Sequence, residues 1–369
     1  MAAPTPSETA THGPSRTPTR SWSWPRLGVT LALGALGGYA ATYLRMPLAW
    51  MMGAMILTTI VAIAGGPLAM APRLRSAMSA VLGVMVGGSF TPGIFARAGE
   101  WSVSLGCLVV YLATVSVVTW ALLRRYARYD NATAFFSAVP GGFNEMLMVG
   151  TALGADDRIL ALSHALRVLF VVLTIPLWFA FQRGYVGGQA PAGGAGWSAP
   201  ADLAILLSCA VVGALGARRL RVPAATLLGP MLLSAAVHLA GITASKPPWA
   251  LVAAAQLIIG SGVGARFTGV ALGQVLHSAA IALALTVVTL VLTLAFGLGL
   301  GWATALPVTV LVLAYAPGGL AEMSLIALFL GEDTAFVSTH HIMRMLVIVT
   351  LAPLLFHTVI RRIRWPTAS

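Results

Sequence analysis

The sequence predicts an all-α integral membrane protein of two homologous halves, expected to be inverted repeats with broken or re-entrant helices and 10–12 transmembrane segments. Three observations carry that expectation. The 369-residue chain is 58% hydrophobic and only 9% charged, whereas soluble domains carry about 25% charged residues, so no water-facing surface can be built from it. Its apolar residues gather into about a dozen stretches near the ~20 residues a helix needs to cross a bilayer. Finally, "AVPGGFNEMLMV" at 138–149 returns as "YAPGGLAEMSLI" at 315–326, 177 positions later.

The elements follow in chain order. Residues 1–25 form an N-terminal tail whose Pro/Ser/Thr-rich run, 1–21, is expected to be disordered. It is too long and polar for a signal-peptide n-region, and the run 27–44 lacks a cleavage site, so that run is read as a retained helix. The first half, 26–183, holds apolar stretches near 27–44, 46–64, 76–95, 102–123, 132–153 and 159–182. A Gly/Ala/Pro-rich linker spans 184–200. The second half, 201–362, holds stretches near 202–217, 223–242, 249–265, 276–300, 304–330 and 335–359, before a short C-terminal tail, 363–369.

The halves align directly. From Pro140 to Arg167 against Pro317 to Arg344, 10 of 28 positions are identical without a gap. "GVMVGGSFTPG" (83–93) lines up with "GSGVGARFTGV" (260–270) at the same spacing, and "RMPLAWMMGAM" (45–55) with "RVPAATLLGPM" (221–231) one residue off. The orientation rests on charge. With the N-terminus inside and five crossings per half, the cytoplasmic side receives 16 Lys/Arg and the outer side four. Twelve crossings and parallel halves give 13 against seven and strand Arg218, Arg219 and Arg221 outside. The positive-inside bias favours inversion with both termini cytoplasmic. Whether the Pro-Gly-Gly segments cross or are re-entrant stays open.

The same distribution explains the net charge of +12 without nucleic acid. Cys107 and Cys209 lie in apolar runs and imply neither a disulfide framework nor a metal site. Trp22, Trp24, Trp101, Trp197 and Trp365 fall near segment ends, where an aromatic belt explains them, and Gly34, Gly37 and Gly38 read as a packing seam. No phosphate loop, HExxH motif or catalytic triad is visible, and no cofactor is called for. The expected partners are the lipid bilayer and a small solute or ion, and an oligomer is compatible with the chain.

The chemistry concentrates at the repeated signature. Pro140 and Pro317 interrupt a helix, and Gly141, Gly142, Gly318 and Gly319 free the backbone beside them. Such a break persists in a membrane only where protein or a water-filled cavity surrounds it. The helix that restarts offers N–H groups to an anion, and Glu145 and Glu322 stand in its first turn. The bland alternative is a packing kink with the glutamate as a cap. His164 and Arg167, like His341 and Arg344, are three apart and share a helix face. Two glutamates and two arginines left unpaired would cost on the order of 10 kcal/mol, so Glu–Arg or Glu–His pairing is expected, either as an ion-pair lock between the halves or as a site that attracts an anion. Asp156 and Asp333 read as helix caps, and His340, matched by Ser163, as incidental. Asn144 faces Ala321 in the alignment, so the two copies are not equivalent.

The doubled "PGG…E", the trailing "D…H..R" and the "P…(L/M)(L/M)GxM" element together resemble the AbrB-duplication family of bacterial membrane proteins, over nearly all of 26–362. That family is also labelled ammonia monooxygenase or AbrB-type regulator. The resemblance implies a multi-pass inner-membrane protein related to cation/proton antiporters and anion or bile-acid symporters, whose inverted repeats carry broken helices. The leading functional expectation is a secondary transporter of a small anionic solute, coupled to protons or cations through Glu145, Glu322, Arg167, Arg344, His164, His341 and Asn144. A membrane sensor or regulator of gene expression is the alternative. A membrane monooxygenase is third, because two separated His/Arg faces do not make a copper or iron ligand set.

Overall fold

The computed structural model describes residues 23–93, 99, 101–183 and 199–363. Most of the N-terminal tail, the linker from 184 to 198 and the C-terminal tail from 364 lie outside the described residues, and with them Trp22, Arg97, Trp197, Arg364 and Trp365. Among the described residues the chain is helical, with no strand. Six helical stretches are long and apolar enough to cross a membrane, which marks a multi-pass membrane protein.

The first seven helices are α1 (Trp24–Tyr43), α2 (Ala49–Ile63), α3 (Pro72–Gly87), α4 (Trp101–Leu122), α5 (Asn131–Ala138), α6 (Phe143–Ala152) and α7 (Asp157–Arg183). The next seven are α8 (Pro200–Arg219), α9 (Ala225–Leu239), α10 (Trp249–Gly264), α11 (Leu272–Thr304), α12 (Val308–Tyr315), α13 (Leu320–Phe329) and α14 (Thr334–Thr358). A short 3-10 turn, Ala265–Phe267, prolongs α10. Counterparts agree closely: α5 and α12 have 8 residues each, and α6 and α13 have 10 each. The turns match as well. Arg45 and Leu48 before α2 adopt positive φ of 53° and 46°, and Arg221 and Ala224 before α9 adopt 54° and 46°. A proline in the middle of each turn, Pro47 or Pro223, prevents the preceding helix from running on.

Prolines also divide the fifth stretch of each half. Val139 is extended before Pro140, and Ala316 before Pro317, as the ring of a following proline requires. Gly142 and Gly319 then cap α6 and α13 with φ of −63° and −76°. No left-handed conformation is involved, so these glycines are needed for space rather than for φ. A Cβ on Gly141 would press on Met146 Cγ at 2.6 Å and Ile348 Cγ2 at 2.9 Å.

Close helix packing relies on small residues, because lipid tails supply no hydrophobic force between helices. Gly37 of α1 meets the backbone of Gly53 in α2, and Gly213 of α8 meets Gly229 in α9. Gly34 faces Leu257 and Ser261, and Gly38 faces Trp50, as a seam requires. Across the halves, Gly83 of α3 lies against Leu227 and Met231 of α9, and Gly87 against Met231 and Ser234, so α3 and α9 run parallel. Reciprocally, Gly260 of α10 faces Met51 of α2, and Gly264 faces Thr58 and Thr59.

The matched helices α3 and α10 run antiparallel. A Cβ at Gly262 near the end of α10 would lie 3.4 Å from Met70, just before α3 begins. One at Gly88, just past the end of α3, would lie 3.5 Å from Lys246 Cγ, just before α10. The loop before α3 is tied to the start of α1, where Ala69 N–H donates to buried Thr30 Oγ1 at 3.0 Å.

Candidate functional site

Both helix breaks face one cavity of about 590 Å³. All thirteen residues singled out at the repeated signatures border it: Pro140, Gly141, Gly142, Asn144, Glu145, His164 and Arg167 from the first half, and Pro317, Gly318, Gly319, Glu322, His341 and Arg344 from the second. The remaining wall comes from the start of α3, the start of α9 and the end of α10, so its mouth lies on the side where α3 and α9 begin.

Each His/Arg pair serves the end of the half-helix before the break. The last carbonyls of a helix have no intrahelical donor. His164 Nε2 donates to Phe136 O of α5 at 3.0 Å, and its Nδ1 accepts from an Arg167 Nη at 2.6 Å. Arg167 also reaches Ser137 O and Val139 O, each at 3.4 Å. In the second half His341 Nε2 donates to Leu313 O of α12 at 3.0 Å, while Arg344 donates to Ala316 O at 2.5 Å and to Gly318 O. Arg344 is buried, Arg167 half-buried. The imidazoles differ too: His341 Nδ1 is buried without a partner among the described residues, a vacant proton acceptor at the site.

The expected Glu–Arg or Glu–His pairing is therefore replaced by pairing with backbone. Among the described residues the structure gives Arg167 and Arg344 carbonyl partners and no carboxylate. The broken ends of α5 and α12 carry partial negative charge, and the guanidiniums answer that charge. Each glutamate instead turns back over the start of its own helix. The Glu145 carboxyl carbon lies 3.1 Å from where a Gly142 Cβ would stand, and that of Glu322 lies 2.9 Å from the same point on Gly319. Both occupy the third helical position, from which a glutamate reaches its N-cap.

Two further arginines border the cavity that were not singled out from sequence. Arg75 stands in the first turn of α3, and Arg266 lies in the 3-10 turn that prolongs α10. Arg266 lies 3.8 Å above the Phe143 ring, a cation–π contact, and within electrostatic reach of Glu322. Its counterpart is Ser89, so the repeat gave no signal; a lone arginine inside "GSGVGARFTGV" was the available one. His340, read as incidental, also has a place. Its Nδ1 donates to Phe336 O at 2.8 Å and its Nε2 accepts from Ser104 Oγ at 2.9 Å, while Tyr315 OH donates to Ser104 O at 2.5 Å. This buried network braces α12 against α4 just behind Pro317. Asp156 and Asp333 cap helices, each accepting backbone N–H groups. Among the described residues no three of His, Cys, Asp and Glu converge as a metal-binding group.

Chemically the cavity carries an excess of positive charge. Four guanidiniums (Arg75, Arg167, Arg266, Arg344) face two carboxylates (Glu145, Glu322), a formal excess of two positive charges. The N-termini of α6 and α13 border the cavity as well, and a helix N-terminus favours negative charge.

Comparison with known proteins accords with the sequence motifs. The family described as "Transition state regulatory protein AbrB" matches residues 50–360. The chain is 30% identical over 337 residues to the Escherichia coli (strain K12) protein named "Putative regulator AbrB", covering 89% of this chain and 94% of that one. It is 26% identical over 346 residues to the Bacillus subtilis (strain 168) protein named "Uncharacterized protein YhjN", covering 88% and 90% respectively. With the family matched over most of its length and a full-length relative at this identity, the chain belongs to the AbrB family of helical membrane proteins.

Proposed function

We propose that this chain is a secondary transporter of a small anionic solute, coupled to protons, working in the bacterial inner membrane by alternating access between two inverted repeats, 26–183 and 201–362. The observation that carries the reading is the single cavity shared by both helix breaks, with four arginines against two glutamates. Its volume of about 590 Å³ suits a small molecule. Discontinuous helices whose N-termini meet at one site are how transporters hold anions within a membrane.

Inversion is supported by helix direction. Counterparts related by an axis along the membrane normal would run the same way, yet α3 and α10 run oppositely. The reciprocal contacts of α3 with α9 and of α2 with α10 are those of a two-fold arrangement. With the N-terminus cytoplasmic, the mouth lies beside Arg73, Arg75, Arg218, Arg219 and Arg221, so the conformation faces inward.

The glutamates supply the coupling. In this conformation each carboxylate occupies the helix N-terminus that an anion would use. Protonation removes that competing charge and opens the N–H groups to the solute, so proton and anion load together; His341 Nδ1 is the nearby acceptor through which the proton can pass. The test is lumen acidification in proteoliposomes containing a trapped pH dye, on addition of small carboxylates and phosphate one at a time. Wild-type protein should acidify the lumen with at least one of them, and the Glu145→Gln/Glu322→Gln double variant should lose the proton signal while remaining folded. Wild-type-like acidification in the double variant would sink the assignment. A wild-type protein inert to every anion, but co-purifying with a soluble protein, would favour the regulatory role that its relative's name suggests.

A further inference from the structure

We infer that Gln256 and Ser89 line a second polar cavity, closed in this conformation, that opens on the opposite face of the membrane and admits the same small anion. The inference rests on the two-fold reading of the halves and extends it to residues outside the cavity already described. Ser79 and Arg266 border the open cavity. The 177-residue offset that relates the halves carries Ser79 to Gln256 and Arg266 to Ser89.

The counterparts of the open cavity's walls are shut. Val252, which matches Arg75, is 0% exposed, and Leu82, which matches Ile259, is also 0% exposed. Gln256 is 1% exposed, at the centre of α10. If these positions were only packing, apolar side chains would serve. Instead both amide atoms of Gln256, and the Ser89 hydroxyl, are buried without a partner among the described residues. A buried amide lacking all its hydrogen bonds is destabilising, and within a membrane no lipid atom can supply them. The arrangement makes sense when a second conformation hydrates these groups, as this one exposes Ser79 and Arg266. The closed face is sealed where the end of α3 meets the loop before α10: Gly88 sits against His238 and Lys246, and His238 Nε2 lies 2.9 Å from Ser245 O. Lys246 is exposed and places a positive charge at that entrance.

The experiment uses the full chain in a Cys107→Ser/Cys209→Ser background, with single Ser79→Cys, Ser89→Cys and Gln256→Cys variants. A membrane-impermeant maleimide is applied to intact cells and, separately, to inside-out vesicles. Ser79→Cys should react from one side only, and Gln256→Cys and Ser89→Cys from the other. A second set adds a cross-linked Gly88→Cys/Lys246→Cys pair, formed before labelling. That clamp should abolish labelling of Gln256→Cys, spare Ser79→Cys, and release its effect on reduction. Unreactive Gln256→Cys and Ser89→Cys in folded protein, or labelling from the same side as Ser79→Cys, overturns the inference. Should Gln256→Cys fail to fold, Ser89→Cys decides alone. Opposite-side labelling in a protein that moves no anion upholds the second cavity but overturns its taking the anion, and removes transport, so the two readings fail separately.

Discussion

Arg344 and Arg167 hold matching positions but do unequal work, and the difference is measurable. Arg344 is 6% exposed and donates to Ala316 O at 2.5 Å and to Gly318 O. In Arg344→Gln the shorter amide cannot span both acceptors. Ala316 O and Gly318 O then lose their charged donor, and each one left buried and unpaired costs about 1–3 kcal/mol, up to ~6 kcal/mol together. Arg167 reaches its carbonyls only at 3.4 Å, beyond the usual range of a good hydrogen bond, and is half-buried where cavity water can replace it. Its close bond is the one to His164 Nδ1 at 2.6 Å, so Arg167→Gln should cost about 1.5–3 kcal/mol, the worth of one hydrogen bond to a charged group. The readout is thermal unfolding in detergent with a thiol-reactive dye, since Cys209 is buried in the folded protein and reacts as it opens. Arg344→Gln should unfold well below Arg167→Gln, with Arg344→Lys between wild type and Arg344→Gln because one ammonium satisfies one carbonyl. Equal losses, or a larger one for Arg167→Gln, would refute carbonyl capping as the arginine's role.

Four other outcomes are expected. A cysteine at Gly188 in the linker, in the Cys107→Ser/Cys209→Ser background, should label from outside intact cells; protection until lysis would mean parallel halves. Gly264→Val should destabilise by about 1–3 kcal/mol or prevent folding, because a Cβ there meets Thr59 N at 2.7 Å. By contrast Gly28→Ala, with nothing within 4 Å, should be neutral or stabilise by up to ~1 kcal/mol in the same unfolding assay. Arg266→Ser should weaken apparent anion affinity on the face now open and leave the opposite face unchanged, as read by uptake from each side of oriented vesicles.

The sequence displayed the breaks and their neighbours because the membrane makes them conspicuous. Proline and glycine in an apolar run, or a charge at a helix centre, are so disfavoured that two copies at one spacing leave few ordinary explanations. The segments opening "RMPL" and "RVPA" were visible as a repeat, but their matching turns were not, since the positive φ falls on arginine, leucine and alanine, with no glycine to mark it. Partner choice was not legible. The side chains of Arg167 and Arg344 could have met a glutamate or a carbonyl, and only the placement of α5 beside α7, and of α12 beside α14, decides for the carbonyl. Arg75 carried no signal, since positive-inside bias already accounts for an arginine at a helix start. His340 was obscured by the repeat itself: its partners Ser104 and Tyr315 lie on different helices, and the alignment pairs it with a serine. The glycines were found for the wrong reason, since local sequence suggests freedom in φ while the folded chain needs room for Met146 and Ile348.

The departures from two-fold repetition bear on how such a protein can work. Arg266 answers to Ser89 and Arg75 to Val252, so the open face carries two guanidiniums that its counterpart lacks, while Ser79 answers to the Gln256 amide. In the proposed transporter those charges would strengthen anion binding on that face, but they could not set the direction of transport. Differential affinity shifts the balance between the two conformations, and by linkage whatever tightens binding on one face stabilises the conformation that presents it. The accumulated concentration at equilibrium depends only on the gradients coupled to each cycle. In the proposed scheme that coupling resides in Glu145 and Glu322, which the repeat preserves at the same helical position, 177 residues apart. Duplication thus separates two demands. In that scheme the residues proposed to couple proton to anion are the same in both halves, because both conformations would complete the same exchange, while the residues along each entrance would be free to differ and tune affinity for the side they face.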